Sequence, residues 1–222
     1  MSDNIKVENN ADVGSQTIIN IENMSGNIAA PQQNILYTLS LNGIPNDGIS
    51  RPQIALSSKY YNLFVKGDMD FQSDYFWSNI SRSVKSNEYT TAEIAERFGA
   101  MDENAISQIL TFPTLFMGEV VFERGQIIPG QFAWFGVVTD IKRYNKDYRV
   151  YYQKHISVPL EQIIALSREL DLGVDFGGHG EITHTHWSVK NADLIHELAA
   201  AGIDVMKNLK TAQNAERRTE NV

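Results

Sequence analysis

Four of the five histidines, His179, His184, His186 and His196, crowd into residues 179–196, three of them in the run HGEITHTHW. Imidazole titrates near neutral pH and is the commonest transition-metal ligand, so this crowding is where the residue types suggest chemistry. If EITHTHW is a strand, alternation puts His184 and His186 on one face with Ile182, and Glu181, Thr183, Thr185 and Trp187 on the other. Two imidazoles about 7 Å apart at their Cα atoms can chelate one zinc, iron or manganese ion. A catalytic metal also needs a third ligand and an open position for the water whose pKa it lowers. His179, His155 or the carboxylate of Asp175 can supply that ligand. The plainer account leaves His184 and His186 on a half-buried strand, bonded to nearby carbonyls, with His196 on the polar side of a helix. His-x-His alone leaves coordination incomplete, and the plainer account is the expectation.

Three other motifs invite chemistry and fall short of it. Asp68, Asp70 and Asp74 suggest a calcium loop, yet its sixth and twelfth positions would be Ser73 and Asn79 where Gly and Glu are needed. The glycines of DLGVDFGGHGEI lack the Gly-Lys-Ser/Thr ending of a phosphate loop. The segment TTAEIAERFGAMDENAISQIL has the look of a helix-turn-helix that would offer Asn104, Ser107 and Gln108 to base edges. Its turn is one residue too long, and Asp102 and Glu103 would meet phosphates at the head of the second helix. Two short capped helices packed on a sheet explain the same letters.

Composition narrows the class. The formal net charge is -8 and cysteine is absent, so disulfides, thiolate metal sites and thiol nucleophiles are excluded. An acidic chain without a dense basic block disfavours a nucleic-acid partner. No unbroken apolar stretch reaches membrane-spanning length, and a soluble, cytoplasmic protein without a membrane partner is expected. At 222 residues, 42% hydrophobic, the chain can fill one core.

Residues 1–34 are rich in Asn, Gln and Ser and read as a flexible polar arm, 35–206 as one globular domain, and 207–222 as a charged tail. Strands are expected at 35–41, 60–66, 119–122, 132–144 and 148–156, the last two joined as a hairpin across Asn145-Lys146-Asp147. Helices are signalled by Thr90 with Glu93 and a terminal Gly99, by Asp102, by Pro159 in a first turn, and by Asn191 or Ser188 before Leu194, Ile195 and Leu198. Hairpins with scattered helices and no regular βαβ alternation mean an α+β fold, a mostly antiparallel or small barrel-like sheet with four short to medium helices. The order of elements and the ending THWSVKNADLIHELAAAGI resemble those of a bacterial domain of no assigned activity, a likeness that implies no reaction.

The expected function is a non-enzymatic binding module that engages a protein partner and needs no cofactor, with the aromatics of YYNLFV and DYFWSNI as its recognition surface. The alternative is a metal-dependent hydrolase or oxygenase built on His184, His186 and His179. Deleting residues 1–30 removes few core-grade side chains and should leave the thermal midpoint in place. A fall of more than about 8 °C would mean that the arm supplies a structural strand.

Overall fold

The structure is a computed structural model and describes residues 37–40, 53–67, 73–85, 88–175 and 180–208. The chain runs β1 (Tyr37–Ser40), β2 (Gln53–Leu56), β3 (Tyr61–Lys66), β4 (Tyr75–Asn79), α1 (Ala92–Phe98), α2 (Glu103–Ile109) and β5 (Pro113–Gly118). It continues through β6 (Phe122–Glu123), β7 (Gln126–Ile127), β8 (Phe132–Arg143), β9 (Asp147–Pro159), α3 (Leu160–Ala165), β10 (His186–Lys190) and α4 (Leu194–Ala200). Six strands form a mixed sheet in the order β10-β3-β5-β8-β9-β4, curled into a half-barrel, while β1–β2 and β6–β7 are separate antiparallel ribbons. The class is α+β, as the sequence pattern implies. Among the described residues no helix is long and apolar enough to cross a membrane.

Alternation along the strands divides the apolar side chains between two cores. Leu63, Val65, Leu115, Met117 and Phe135 face Leu160, Ile163 and Ile164 of α3 and Leu194, Ile195 and Leu198 of α4. On the opposite face Phe64, Phe116, Tyr152 and Trp187 pack with Ile94 and Phe98 of α1 and Ile109 of α2. The rings of Phe64 and Trp187 stack at 4.8 Å and those of Phe64 and Phe116 at 5.6 Å. Helices on both faces explain why β3 and β5 are apolar almost throughout. The fully buried Asn62 is the exception on β3, and its amide ties four elements. Its Nδ2 donates to the Ile109 carbonyl and to Thr114 Oγ1, both at 3.2 Å, and its Oδ1 accepts from Trp187 Nε1 at 3.3 Å.

The long β8–β9 hairpin produces the curl. Its register slips between Phe135 and Gly136 and between Val138 and Asp140, which leaves His155 and Thr139 as extra residues in bulges. Each bulge adds twist and bends the strand. At the first bulge the backbones close in, and a Cβ on Gly136 would sit on the Gln153 carbonyl oxygen and 2.9 Å from Lys154 Cα.

Several local expectations are corrected. The strand expected at 119–122 lies earlier, at Pro113–Gly118, because the run after α2 is apolar on both sides and is buried as the sheet's second central strand. It pairs in parallel with β3, so the sheet is mixed. Thr91, without a side-chain bond, stands at the head of α1 in place of Thr90, which is buried. Asp193 caps α4 through the His196 N–H at 3.0 Å, displacing Asn191 and Ser188 from that role. Asp102 caps α2 through Ala105 N at 2.8 Å, as its position implies. Gly136→Ala should lower Tm by about 3–10 °C, since relieving a clash with backbone costs about 1–3 kcal/mol in a domain of this size. An unchanged Tm would show that the bulge yields without cost.

Candidate functional site

The densest polar chemistry is buried behind β10. The sequence HWSVK alternates, so Trp187 and Val189 enter the aromatic core while His186, Ser188 and Lys190 share the other face. All three are almost fully buried, and all three reach one carboxylate, that of Glu181, which is 1% exposed. Oε1 accepts from His186 Nε2 and Ser188 Oγ at 3.0 Å each. Oε2 accepts from Lys190 Nζ at 2.9 Å and from the Gly173 N–H at 2.9 Å. Burial alone would push this carboxyl's pKa upward. The His186 hydrogen bond, the Lys190 charge and the Gly173 N–H outweigh burial and hold it below the ordinary carboxylate range.

The donors are themselves held. Lys190 Nζ also donates to the Tyr89 carbonyl at 3.0 Å, and the Tyr89 ring lies 4.7 Å from the imidazole of His186. His186 Nδ1 lies 2.8 Å from the His184 carbonyl oxygen, which can only accept. With the Glu181 carboxylate on the other nitrogen, both ring nitrogens are engaged with oxygen atoms. Beneath the cluster, Tyr61 Oη donates to the Leu170 carbonyl at 2.7 Å. Burial, with Glu181 and Asp171 adding, pushes that phenol's pKa well up. The Glu181 N–H returns to the Gly173 carbonyl at 2.7 Å, and Gly180 fits this neck because a Cβ there would meet Gly173 O at 2.7 Å.

This arrangement revises the expected histidine pair. Residues 181–183 form a 3-10 turn and β10 begins at His186, so His184 and His186 do not share a strand face. A turn forms there because Glu181 folds back to fill the polar side of β10. His184 is exposed, with Nδ1 3.0 Å from the Gly180 carbonyl, while His186 is buried. A metal ligand needs a nitrogen lone pair, and both nitrogens of His186 are engaged in hydrogen bonds. His179, Asp68 and Asp70 lie outside the described residues, and Asp74 and Asp175 are exposed. His196 is on the exposed side of α4. Among the described residues no three His, Asp or Glu side chains are grouped to hold a metal ion. Nor do Ser188, His186 and Glu181 form a nucleophilic triad. Ser188 is fully buried, and both it and Glu181 address the same ring nitrogen of His186.

His186 itself lines a cleft between β3, β4 and the start of β10, together with Phe64, Lys66, Phe76, Asn79, Arg82 and Thr185. Its free space is about 240 Å³ with the solvent at its open mouth included, so the cleft is small. On α1 and α2, Gln108 Oε1 accepts from Arg97 at 2.8 Å and Ser107 Oγ donates to the Asn104 carbonyl at 2.8 Å. The helices are joined through their side chains and packed on the aromatic core.

The surface of the opposite sheet edge is different. The aromatics of YYNLFV are core, with Tyr60, Tyr61 and Phe64 at most 5% exposed, which corrects their expected role in recognition. Those of DYFWSNI divide by alternation. Phe76 turns inward, and Tyr75 and Trp77 lie on the outer face beside Tyr151 and Arg149, their cross-strand partners. The Arg149 guanidinium lies 3.9 Å from the Tyr75 ring centre and 5.2 Å from that of Trp77. Tyr144, at the end of β8, meets Trp77 edge to face at 4.9 Å. Trp77 is 43% and Tyr144 44% exposed. Lys142 completes the group, 5.1 Å over the Tyr151 ring.

His155, once a possible third ligand, sits in the β9 bulge, where its Nε2 is buried and has no hydrogen-bond partner among the described residues. Burial lowers its pKa from 6.5 to about 4. The unfolded chain therefore binds a proton that the native state refuses between those values. Stability from this group is complete above about pH 6.5 and is lost as pH falls toward 4, by about 3 kcal/mol. In His155→Leu, denaturant titrations at pH 7 and pH 4.5 should show a smaller loss of unfolding free energy than in the parent. Equal losses in the two proteins would place the acid sensitivity elsewhere.

The chain matches no protein-family model, no curated protein and no solved structure, so its own geometry carries the functional argument.

Proposed function

We propose that the protein is a non-catalytic binding module that docks a protein partner on the outer face of the β4–β9–β8 edge. The observation that carries this reading is the half-exposed pair of Trp77, on β4 against Arg149 of β9, and Tyr144, which meets Trp77 from the turn after β8. Trp, Tyr and Arg are the residue types that dominate binding hot spots, and a cluster of large exposed aromatics on a folded domain marks an interaction surface. Here the rings are fixed by one another and by the guanidinium, so little rotamer entropy is lost when they are covered. Trp77 and Arg149 are seated on paired strands in place of loops, which adds the same advantage in the backbone. The alternative of a metal-dependent hydrolase or oxygenase has weaker support, because His186 is committed to Glu181 and the adjacent cleft is small.

Benzoylphenylalanine placed at position 77 in cells that make the protein should give discrete protein adducts on illumination, and Arg149→Glu should remove them. The same group at position 161, on the exposed side of α3, should give none. Absence of adducts at 77, or an identical set from 161, would sink the proposal.

A further inference from the structure

A second surface, on the β6–β7 ribbon, carries exposed apolar side chains of its own. Among the described residues, the large apolar side chains left exposed are Trp77 and Tyr144 at the docking face and Val121, Ile128 and Phe132 around this ribbon. We infer that the ribbon is a two-fold contact between copies of the chain. Val121, Ile128 and Phe132 pack against their counterparts, and Glu123 of each copy pairs with Arg124 of the other. The contact does not depend on the docking role, since Phe132 opens β8 and Tyr144 follows the far end of that strand.

Alternation and a fixed turn build the patch. Phe122 and Ile127 face each other across the ribbon and pack on the core, so their neighbours Val121, Glu123, Gln126 and Ile128 share the outward face. Polar residues belong on such a face, yet Val121 is 54% and Ile128 38% exposed. Positive φ at Arg124 (52°) and Gly125 (77°) closes the ribbon as the two-residue turn that fits strand twist. At the open end, the amide of Gln131 is spent on holding the pair. Its Oε1 accepts from Val121 N at 3.0 Å, and its Nε2 donates to the Val121 and Ile128 carbonyls at 2.9 and 3.0 Å. The Ile128 N–H adds a bond to the Val121 carbonyl at 3.2 Å. Phe132, 48% exposed, directly follows Gln131. The apolar side chains thus stand on a frame that is set before anything covers them, which keeps the ordering cost of covering them low. Neighbouring exposed apolar groups of this kind mark a contact surface.

The rim selects the occupant. Glu123 and Arg124 are adjacent and exposed, and neither forms an ion pair among the described residues. A surface of one sign would gain at one of these charges and lose at the other. A two-fold axis lays the patch on itself, so that each charge of one copy meets the opposite charge of the other and apolar meets apolar. The patch has far fewer residues than the roughly 20–30 a side of a standard interface, so the association is weak, with a Kd of about 10–100 μM.

The test is sedimentation equilibrium of the full chain between about 2 and 200 μM, which should show a reversible monomer–dimer equilibrium. Ile128→Glu should leave only monomer. The milder Ile128→Ser and Phe132→Ser should each raise the Kd by about 5–10-fold while Tm at the dilute end stays within about 2 °C of the parent. Glu123→Arg and Arg124→Glu should each raise the Kd by about 3–10-fold, because like charges then meet, and the two together should restore it. Arg149→Glu, on the docking face, should leave the dimer intact. A chain that is monomeric throughout, a dimer indifferent to Ile128 and Phe132, single charge reversals that the double exchange does not repair, or a dimer that Arg149→Glu dissolves would overturn the inference. So would Ile128-dependent sedimentation of the chain with phosphatidylcholine vesicles, since the face would then belong to a lipid surface.

Discussion

A single carboxylate organises the half of the molecule that contains β10. Glu181 sits in a nearly water-free site with four donors on its two oxygens, one from the backbone of residue 173 and three from alternate residues of the strand. An ionised carboxylate that deep is costly unless every lone pair is matched, and here each oxygen has two partners. The same matching fixes the strand. With its polar face bound to Glu181, β10 places Trp187 and Val189 in the aromatic core, and Trp187 in turn holds the amide of Asn62. Removing the carboxylate would leave a buried ammonium without its counter-ion and the His186 and Ser188 side chains without their shared partner. The cluster is therefore a positioning element for β10.

How much of this was legible in the sequence depended on the range of the interactions. Many local signals were legible, namely Asp102 as a cap, the β8–β9 hairpin, the inward residues of α4, and Gly202 after it with φ +84, although two caps fell on neighbours, Thr91 for Thr90 and Asp193 for Asn191 or Ser188. Signals that depend on distant chain were misread. HWSVK alternates polar and apolar like a half-exposed strand, and only the return of Glu181 and Tyr89 buries its polar side. The turn over 181–183 could not be seen without that return, so two histidines were assigned one face that they do not share. The trio His186, Ser188 and Lys190 was visible as an alternation, but nothing in the letters named its partner. Similarly, YYNLFV and DYFWSNI look alike as strings. One is covered on both faces by helices and the other lies at a sheet edge, and only topology distinguishes them.

The two polar systems divide the labour. The Glu181 cluster is satisfied inwardly and closed, with donors and acceptors matched inside the protein. The Arg149 cluster is satisfied by ring faces and remains turned outward. Rigidity at the second comes from the long hairpin, whose bulges bend the sheet and bring the outer strands into a curved rim. The closed cluster and the proposed docking face thus belong to opposite ends of the strand order, β10 at one and β4 at the other.

The sheet order has a consequence for how the chain is made. The two pairings at the β10 end of the sheet join strands far apart in sequence: β3 to β5 across the segment that carries α1 and α2, and β3 to β10 across more than half the domain. During synthesis from the N-terminus, β3 waits with one edge bare until residue 190 has left the ribosome, and an unpaired apolar strand edge invites pairing with other chains. Few of these contacts are local, so the entropy of closing long loops is spent before the core repays it, which marks a slow folder. The strand that ends the wait brings three polar side chains and can settle only where Glu181 already stands. The late step is thereby selective, because a strand without donors at alternate positions could fill the gap in the ladder but would leave the carboxylate behind it unmatched.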